Sequence, residues 1–155
     1  MKLFFILFLA LPASVLARIG DTEADLIQRY GEPVFQVEAI DGFPGVKGRT
    51  FKVSTITVTA YLLDKTCQYE QYSRPGGLTD REILQILSAN SGGHEWAALD
   101  KPATPMNKKE WMRRDQKAAA FQERLTLKLK ILTMDFSRYI GFIKESENAE
   151  ALQKF

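Results

Sequence analysis

A thiol-based catalytic pair in this chain would have to use its only cysteine, Cys67, and its only histidine, His94. A catalytic cysteine needs a nearby base and a partly exposed, electropositive setting. Cys67 instead lies in the strand-like segment TCQYEQY, alternating in phase with Tyr69 and Gln71, and no spacing in the sequence brings His94 to it. We interpret Cys67 as a packed or half-buried strand residue. A single cysteine also excludes a disulfide within the chain.

The sequence lacks the residue patterns that usually form metal sites and phosphate-binding loops. His94-Glu95 is similar to the start of a zinc-protease signature, but Ala98 stands where the second histidine is required. The glycine pairs at 76–77 and 92–93 have neither the spacing nor the lysine of a phosphate-binding loop. The sequence therefore predicts no catalytic residue, no metal site and no cofactor.

Two pairs of acidic residues stand where helices are predicted to begin: Glu23 with Asp25, and Asp80 with Glu82. The positive end of a helix dipole favours negative charge there, which explains both pairs without catalysis. A small hydrolase that uses carboxylates, or Cys67, in a groove remains an alternative interpretation.

Charge is distributed unevenly, although the whole chain has a formal net charge of only +2. Residues 108–130 carry 8 basic and 3 acidic side chains, whereas residues 18–107 carry 9 basic and 12 acidic ones. If the solvent faces of the strands align, this excess forms a basic patch suited to an acidic protein or an anionic envelope polymer. The simpler alternative is that these side chains only solvate a sheet face. The candidate partner-binding residues are Arg113, Arg114, Lys117, Lys128 and Lys130.

Residues 1–17 have the pattern of a secretory signal peptide. Lys2 precedes an apolar stretch, and Val15-Leu16-Ala17 fits the small-x-small cleavage pattern, which would make Arg18 the new N-terminus. The apolar stretch is shorter than the roughly 18 to 20 residues that span a bilayer, so a membrane anchor is the weaker interpretation. The sequence thus predicts an exported, periplasmic or extracellular chain without a transmembrane segment, folded as one domain over residues 18–155.

Within that domain, a capped helix precedes a series of strands. Thr22 and Asp25 form a capping-box-like pair, and the helix ends at Gly31 before Pro33. TITVTAYLL then alternates apolar and polar residues with a period of two, and Asp64-Lys65 occupies the position of a two-residue hairpin turn. The first part of the chain is therefore predicted to be a helix followed by an antiparallel meander.

The same order recurs later in the chain. Thr79 and Glu82 form a second capping box, and TDREILQ aligns on TEADLIQ at an offset of 57 residues. This alignment predicts a duplicated unit, although capping chemistry alone makes unrelated helix starts look alike. HEWAAL, EWMRRD, KAAAFQER and LTLKLKILT are predicted strands. In the last of them, Leu125, Leu127, Leu129 and Ile131 are expected on one face.

These patterns predict an α+β fold of two helix-then-meander units, residues 18–74 and 78–133, with helices packed on one face of the sheet. Residues 134–155 form a C-terminal tail of weaker pattern, with a short terminal helix or a frayed end over ESENAEALQKF.

The capped helix that ends in Tyr-Gly-Glu-Pro before a meander resembles a segment of small bacterial envelope proteins of the SmpA/BamE type. The suspected duplication is similar to the tandem arrangement of the β-lactamase inhibitor protein fold. The chain departs from the former by lacking a lipoprotein cysteine and from the latter by having only Cys67. The resemblance implies a non-enzymatic envelope or interaction role and supplies no functional residue.

The functional hypothesis from the sequence is an exported, non-enzymatic module that binds a protein or an envelope component, with no nucleic-acid partner expected. The hydrolase and the electrostatic binding of an anionic polymer are its alternatives.

Overall fold

The computed structural model describes residues 18–99 and 107–152, so the predicted signal peptide lies outside the described residues. Three helices are present: Glu23–Tyr30 (α1), Asp80–Ala89 (α2) and Met134–Leu152 (α3). The strands are Phe35–Val37 (β1), Lys47–Val53 (β2), Ile56–Leu63 (β3), Thr66–Ser73 (β4), Trp96–Ala98 (β5), Asn107–Arg113 (β6), Ala118–Glu123 (β7) and Leu129–Thr133 (β8).

All eight strands form one antiparallel sheet in the order β1-β2-β3-β4-β8-β7-β6-β5. Strands β4 and β8 pair directly, from Tyr69↔Leu132 to Tyr72↔Leu129, and this pairing makes the sheet continuous. The prediction of two helix-then-meander units, 18–74 and 78–133, is therefore wrong, since a single sheet with three helices has no boundary between such units. Long-range pairing decides this, and no local pattern in the sequence encodes it.

Both predicted capping boxes are confirmed. The Thr22 side chain accepts from the Asp25 N–H while the Asp25 side chain accepts from the Thr22 N–H, and Thr79 and Glu82 repeat the arrangement. Each box satisfies backbone donors that a helix start otherwise leaves without partners. The boxes fix where α1 and α2 begin.

The turns agree with the sequence prediction between β3 and β4 and differ from it before β8. Asp64 and Lys65 form the predicted β3–β4 hairpin with φ values of 51° and 70°, and Gln116 turns the chain between β6 and β7 with a φ of 57°. Strand β8, however, begins only at Leu129. Leu125 is 92% exposed in the preceding turn, and Leu127 has a φ of 54°, so the expected four-residue apolar face is wrong.

Helices α1 and α2 cover one face of the sheet, which we call the inner face. Leu26 of α1 and Ile86 of α2 are fully buried against it. Two further residues of α2, Ile83 and Leu87, are also buried there. The sheet contributes residues that alternate along its strands, as period-two side chains must. They are Phe51, Val58, Ala60, Leu62, Tyr72, Trp111, Ala120, Leu129 and Ile131.

Helix α3 packs against the opposite, outer face. Tyr61 and Tyr69 are cross-strand partners, and their rings stack at a centroid distance of 4.8 Å. Phe136 of α3 stacks on Tyr69, and Tyr139 stacks on Phe136. The sequence led us to expect helices on one face only, and α3 adds a helix to the opposite face. The region from Met134, predicted as a weakly patterned tail, is a 19-residue helix whose aromatic side chains cover the centre of this face.

Candidate functional site

The inner face contains a group of buried polar side chains, Cys67, Glu70, Tyr72 and Asn90, which we call the Glu70 cluster. The Tyr72 hydroxyl donates to Glu70 Oε2 over 2.5 Å. Asn90 Nδ2 donates to the Tyr72 hydroxyl over 3.3 Å and to the Ile86 carbonyl at the end of α2 over 3.1 Å. Each of the four residues is at most 1% exposed. The cluster therefore connects the middle of the sheet to the end of α2.

A β-bulge brings Cys67 into this cluster. Tyr61 pairs with Tyr69, but Leu62 pairs with Cys67, so Gln68 is an extra residue on β4. One extra residue reverses the alternation of side chains along a strand. Cys67 therefore lies on the face of Glu70 and Tyr72, not in phase with Tyr69 as the sequence pattern predicted.

Burial changes the acid–base properties of the cluster. Desolvation raises the pKa of Glu70 to about 7, while the hydrogen bond from Tyr72 lowers it in part. Burial and the nearby Glu70 also raise the pKa of the Cys67 thiol well above its ordinary value. Glu70 Oε1 has no hydrogen-bond partner among the described residues. Both groups are fully buried, so the cluster has no open path to substrate and is suited to structure.

The two nucleophilic candidates are not brought together. Cys67 is fully buried, whereas the His94 side chain is half exposed in the loop after α2. His94 Nε2 lies 3.7 Å from Asp115 Oδ2, and the pKa of Asp115 is lowered to about 2 chiefly by its hydrogen bond with Arg113. Within the described parts of the chain, no three His, Cys, Asp or Glu side chains are close enough to hold a metal ion.

The basic candidates occupy different surroundings. Arg113 is largely buried, binds Asp115 and donates to the Asn90 carbonyl over 3.2 Å. Arg114 is exposed and lies 2.9 Å from Glu95. On the outer face, Lys130 pairs with Glu123 and lies 5.7 Å from the Phe121 ring centroid. Lys117 is exposed and Lys128 is half-buried. Three of the five basic charges are therefore paired with acids, and Arg113 serves the packing of α2.

A different surface is open on the outer face, at the β1 edge of the sheet. A groove of about 440 Å³ lies over β1, β2 and β3, beside the segment 39–41, and we call it the outer groove. Its lining is mostly apolar and includes Phe35, Val37, Ile40, Gly48, Thr50 and Tyr61. Phe35 is 62% exposed, as is its neighbour Val34. Helix α3 packs against β4 and β8, and none of its described residues lines the groove.

Arg49 and Tyr139 fix the walls of the outer groove. The Arg49 guanidinium is buried on the inner face, where it pairs with Glu23 of α1 and Glu38 and donates to the Val37 carbonyl of β1. On the other side, the Tyr139 hydroxyl of α3 donates to the Pro44 carbonyl over 2.5 Å. The edge strand and the loop beside it are thus tied to both helical layers.

Sequence reasoning did not find either region. In the sequence, Glu70 is only one charged residue within a predicted strand. The bulge that brings Cys67 to the face of Glu70 has no local sequence signal. The outer groove had a partial signal: Val34-Phe35 follows Pro33 directly and continues the apolar pattern into a short strand. Of the two tryptophans, Trp111 belongs to the core and Trp96 packs against it.

No protein-family model matches the chain, and no curated protein matches it. Among solved structures, a cysteine-rich secretory protein from Staphylococcus aureus subsp. aureus Mu50 is similar over 76% of this chain and 44% of its own, with 13% sequence identity and a TM-score of 0.43. This chain thus spans less than half the length of that protein, and a similarity at this level carries no argument about function. In the described residues, no helix has the length and apolar character that a membrane crossing requires.

Proposed function

We propose that this chain is an exported binding module whose β1 edge accepts an extended polypeptide segment of a partner protein. Export is inferred from the signal-peptide pattern of residues 1–17. The observation that carries the proposal is the position of the outer groove, which lies directly beside the edge strand of the sheet and is lined by that strand's own side chains.

Strand addition explains how such a site would work. β1 pairs with β2 on one side and is the last strand of the sheet on the other. An added segment forms main-chain hydrogen bonds with the free edge, and every second side chain of it points to the same face. Those side chains would lie against Phe35 and Val37, in the groove that also exposes Tyr61. Main-chain bonds supply affinity, and the apolar groove supplies selectivity.

Charge defines the chemistry of the partner further. Glu32 and Asp41 are exposed on either side of β1, and neither forms an ion pair with the described residues. A segment with apolar residues at alternate positions and lysine or arginine at its ends complements this edge. The surface therefore favours an apolar and basic partner over the acidic polymer suggested by the basic strands, where Arg113, Arg114 and Lys130 are paired with acids.

A binding role is further supported by the state of the candidate catalytic groups. Burial keeps the pKa of the Cys67 thiol high, and the thiolate is the reactive form of cysteine. His94 interacts with Asp115 at the opposite end of the sheet from β1.

The test uses two synthetic nonapeptides, one with valine and lysine alternating and a second with proline at the centre. Binding is measured by fluorescence anisotropy, and contacts by NMR shifts of the β1 amides. We expect the first peptide to bind with shifts in β1 and the second not to bind, because proline lacks the N–H that a strand donates. The Phe35→Asp variant should weaken binding by about tenfold or more, since burying an unpaired charge is costly.

Leu84→Asp is the matched control, because Leu84 is 64% exposed on α2 and outside the groove. Equal binding by both peptides, or equal loss in both variants, would contradict strand addition. Binding of polyglutamate that disappears in a Lys128→Glu, Lys130→Glu double variant would support the anionic-polymer alternative instead.

A further inference from the structure

The segment Arg18–Asp21 uses all of its backbone N–H groups. The Ile19 N–H donates to Asn90 Oδ1 over 2.8 Å, and the Gly20 N–H donates to the Cys67 carbonyl over 2.7 Å. The Asp21 N–H donates to the Arg18 carbonyl over 3.0 Å. Ile19 also packs against the hydrophobic core. The segment is thus a structural strap over the end of β4, joined at its middle to the Glu70 cluster.

The first nitrogen of the strap has a charged partner. Arg18 N lies 3.1 Å from Asp21 Oδ2, and Arg29 Nε of α1 lies 2.9 Å from the same oxygen. The Asp21 side chain is only 15% exposed. A carboxylate with this degree of shielding interacts more strongly with a cation than one at an open surface does.

We propose that hydrolysis of the Ala17–Arg18 bond creates an N-terminal ammonium that forms an ion pair with Asp21 and thereby stabilises the strap. The bond is the one predicted from the small-x-small pattern. A leader peptidase adds one water across it, which leaves a carboxylate on Ala17 and an amine on Arg18, and the amine takes up a proton. Cleavage therefore replaces a neutral amide N–H with a charged donor at an atom that already faces Asp21.

The gain in interaction follows from general hydrogen-bond energetics. Hydrogen bonds between charged groups are roughly twice as strong as neutral ones. The strap donates to and accepts from the backbone of Cys67 in β4, and it donates to the side chain of Asn90 at the end of α2. The new charge therefore reinforces the contact between the strap and the inner face. The ion pair between the N-terminal ammonium and Asp21 does not involve the outer groove. The test of this proposal is therefore separate from the test of the proposed function.

The first measurement is the mass of the exported product of the full-length chain, which we expect to correspond to a start at Arg18. The second compares this product with the same chain acetylated at its N-terminus. Acetylation keeps an N–H but removes the charge, so we expect Tm to fall by about 2–4 °C. The α-amino pKa, followed by NMR, should lie above the ordinary range of about 7.7–8.0, because the ammonium form is stabilised.

The Asp21→Asn variant tests the partner. In it, acetylation should leave Tm nearly unchanged, and the α-amino pKa should return to its ordinary range. Asp41→Asn is the control, since it removes an exposed acid that belongs to the lining of the outer groove and not to the strap, and in this variant the full effect of acetylation should persist. If Asp21→Asn does not fold, the acetylation shift and the α-amino pKa of the native chain decide alone. A different cleavage site, an unchanged Tm on acetylation or an ordinary α-amino pKa would each overturn the proposal.

Discussion

The two faces of the sheet differ in how they use polar and apolar side chains. On the inner face, α1 and α2 enclose Glu70, Tyr72 and Asn90, which have no more than 1% exposure. On the outer face, α3 covers only the centre, and Phe35 and Tyr61 line an open groove. In this protein the residues that resemble a reactive site are enclosed, and the residues that resemble a core are accessible. Residue type alone therefore points to a different face from the one on which we propose binding.

The difference is also one of energetics. An enclosed polar group must find partners within the protein, because water is excluded from it. Among the described residues, the side chains of the Glu70 cluster do so for every polar atom except Glu70 Oε1, and they connect three elements in the process. The outer groove has no such requirement, since its threonines and tyrosine remain in reach of solvent. Changes on the inner face should therefore affect stability, and changes on the outer face should affect binding.

The largest difference in stability is expected between substitutions of two phenylalanines, Phe51 and Phe35. Phe51 is fully buried on the inner face, so Phe51→Ala should lower the free energy of unfolding by about 3–5 kcal/mol. Phe35 lies on the outer face and is 62% exposed, so Phe35→Ala should change the free energy of unfolding by no more than about 0.5 kcal/mol. Urea unfolding of both variants measures the contrast. A similar loss of stability in the two variants would show that the outer groove is part of the core.

The second prediction concerns pH and Glu70. The pKa of Glu70 is about 7 in the folded chain and 4.5 in the ordinary reference state. Between these values the folded state binds a proton that the unfolded state has released. Raising the pH from about 4.5 to 7 should therefore lower the free energy of unfolding, by about 3 kcal/mol at most. Urea unfolding across this range measures the decrease.

Glu70→Gln replaces the carboxyl with a neutral group of the same shape, and we expect this decrease with pH to disappear. His94→Gln, which removes the only histidine, is the control and should retain it. A wild-type stability that stays level from pH 4.5 to 7 would show that Glu70 is hydrated and that the inner face is not closed.

The smallest effect is expected at the start of α2. Thr79→Ala removes the cap that accepts from the Glu82 N–H and should cost about 1 kcal/mol in unfolding free energy. Thr79→Ser keeps the accepting hydroxyl and should restore most of the stability. If serine behaves like alanine, the packing of α2 and not its cap determines where the helix begins.

Local features of the fold could be predicted from the sequence, and long-range ones could not. The capping boxes at Thr22 and Thr79 and the Asp64-Lys65 turn depend on side chains within a few positions of each other. The pairing of β4 with β8 and the side of the sheet on which α3 packs depend on contacts across the chain. Leu125 and Leu127 show the limit of a period-two pattern, since a turn between β7 and β8 takes two of its four apolar residues.

The same limit applies to the candidate sites. The sequence pattern placed Cys67 in phase with Tyr69, and one bulged residue, Gln68, was enough to reverse that assignment. The sequence placed the basic residues in strand segments, and the structure has Arg113 and Lys130 in β6 and β8 but Arg114, Lys117 and Lys128 outside the strands. The acidic partners of Arg114 and Lys130 come from other parts of the chain. Glu95 lies before β5 and pairs with Arg114 after β6, a relation that no spacing in the sequence encodes.

The pairing of Tyr72 with Leu129, 57 positions later, affects the order in which the molecule can fold as it is synthesised. Until β8 emerges, β4 is an open edge, and the meander before it has no neighbour on that side. Pairings between distant strands also form slowly, because a long loop must close first. A nascent chain of this design stays incompletely folded until its last quarter is made. For the export that we propose, in which a chain passes through a membrane channel before it folds, this delay is an advantage.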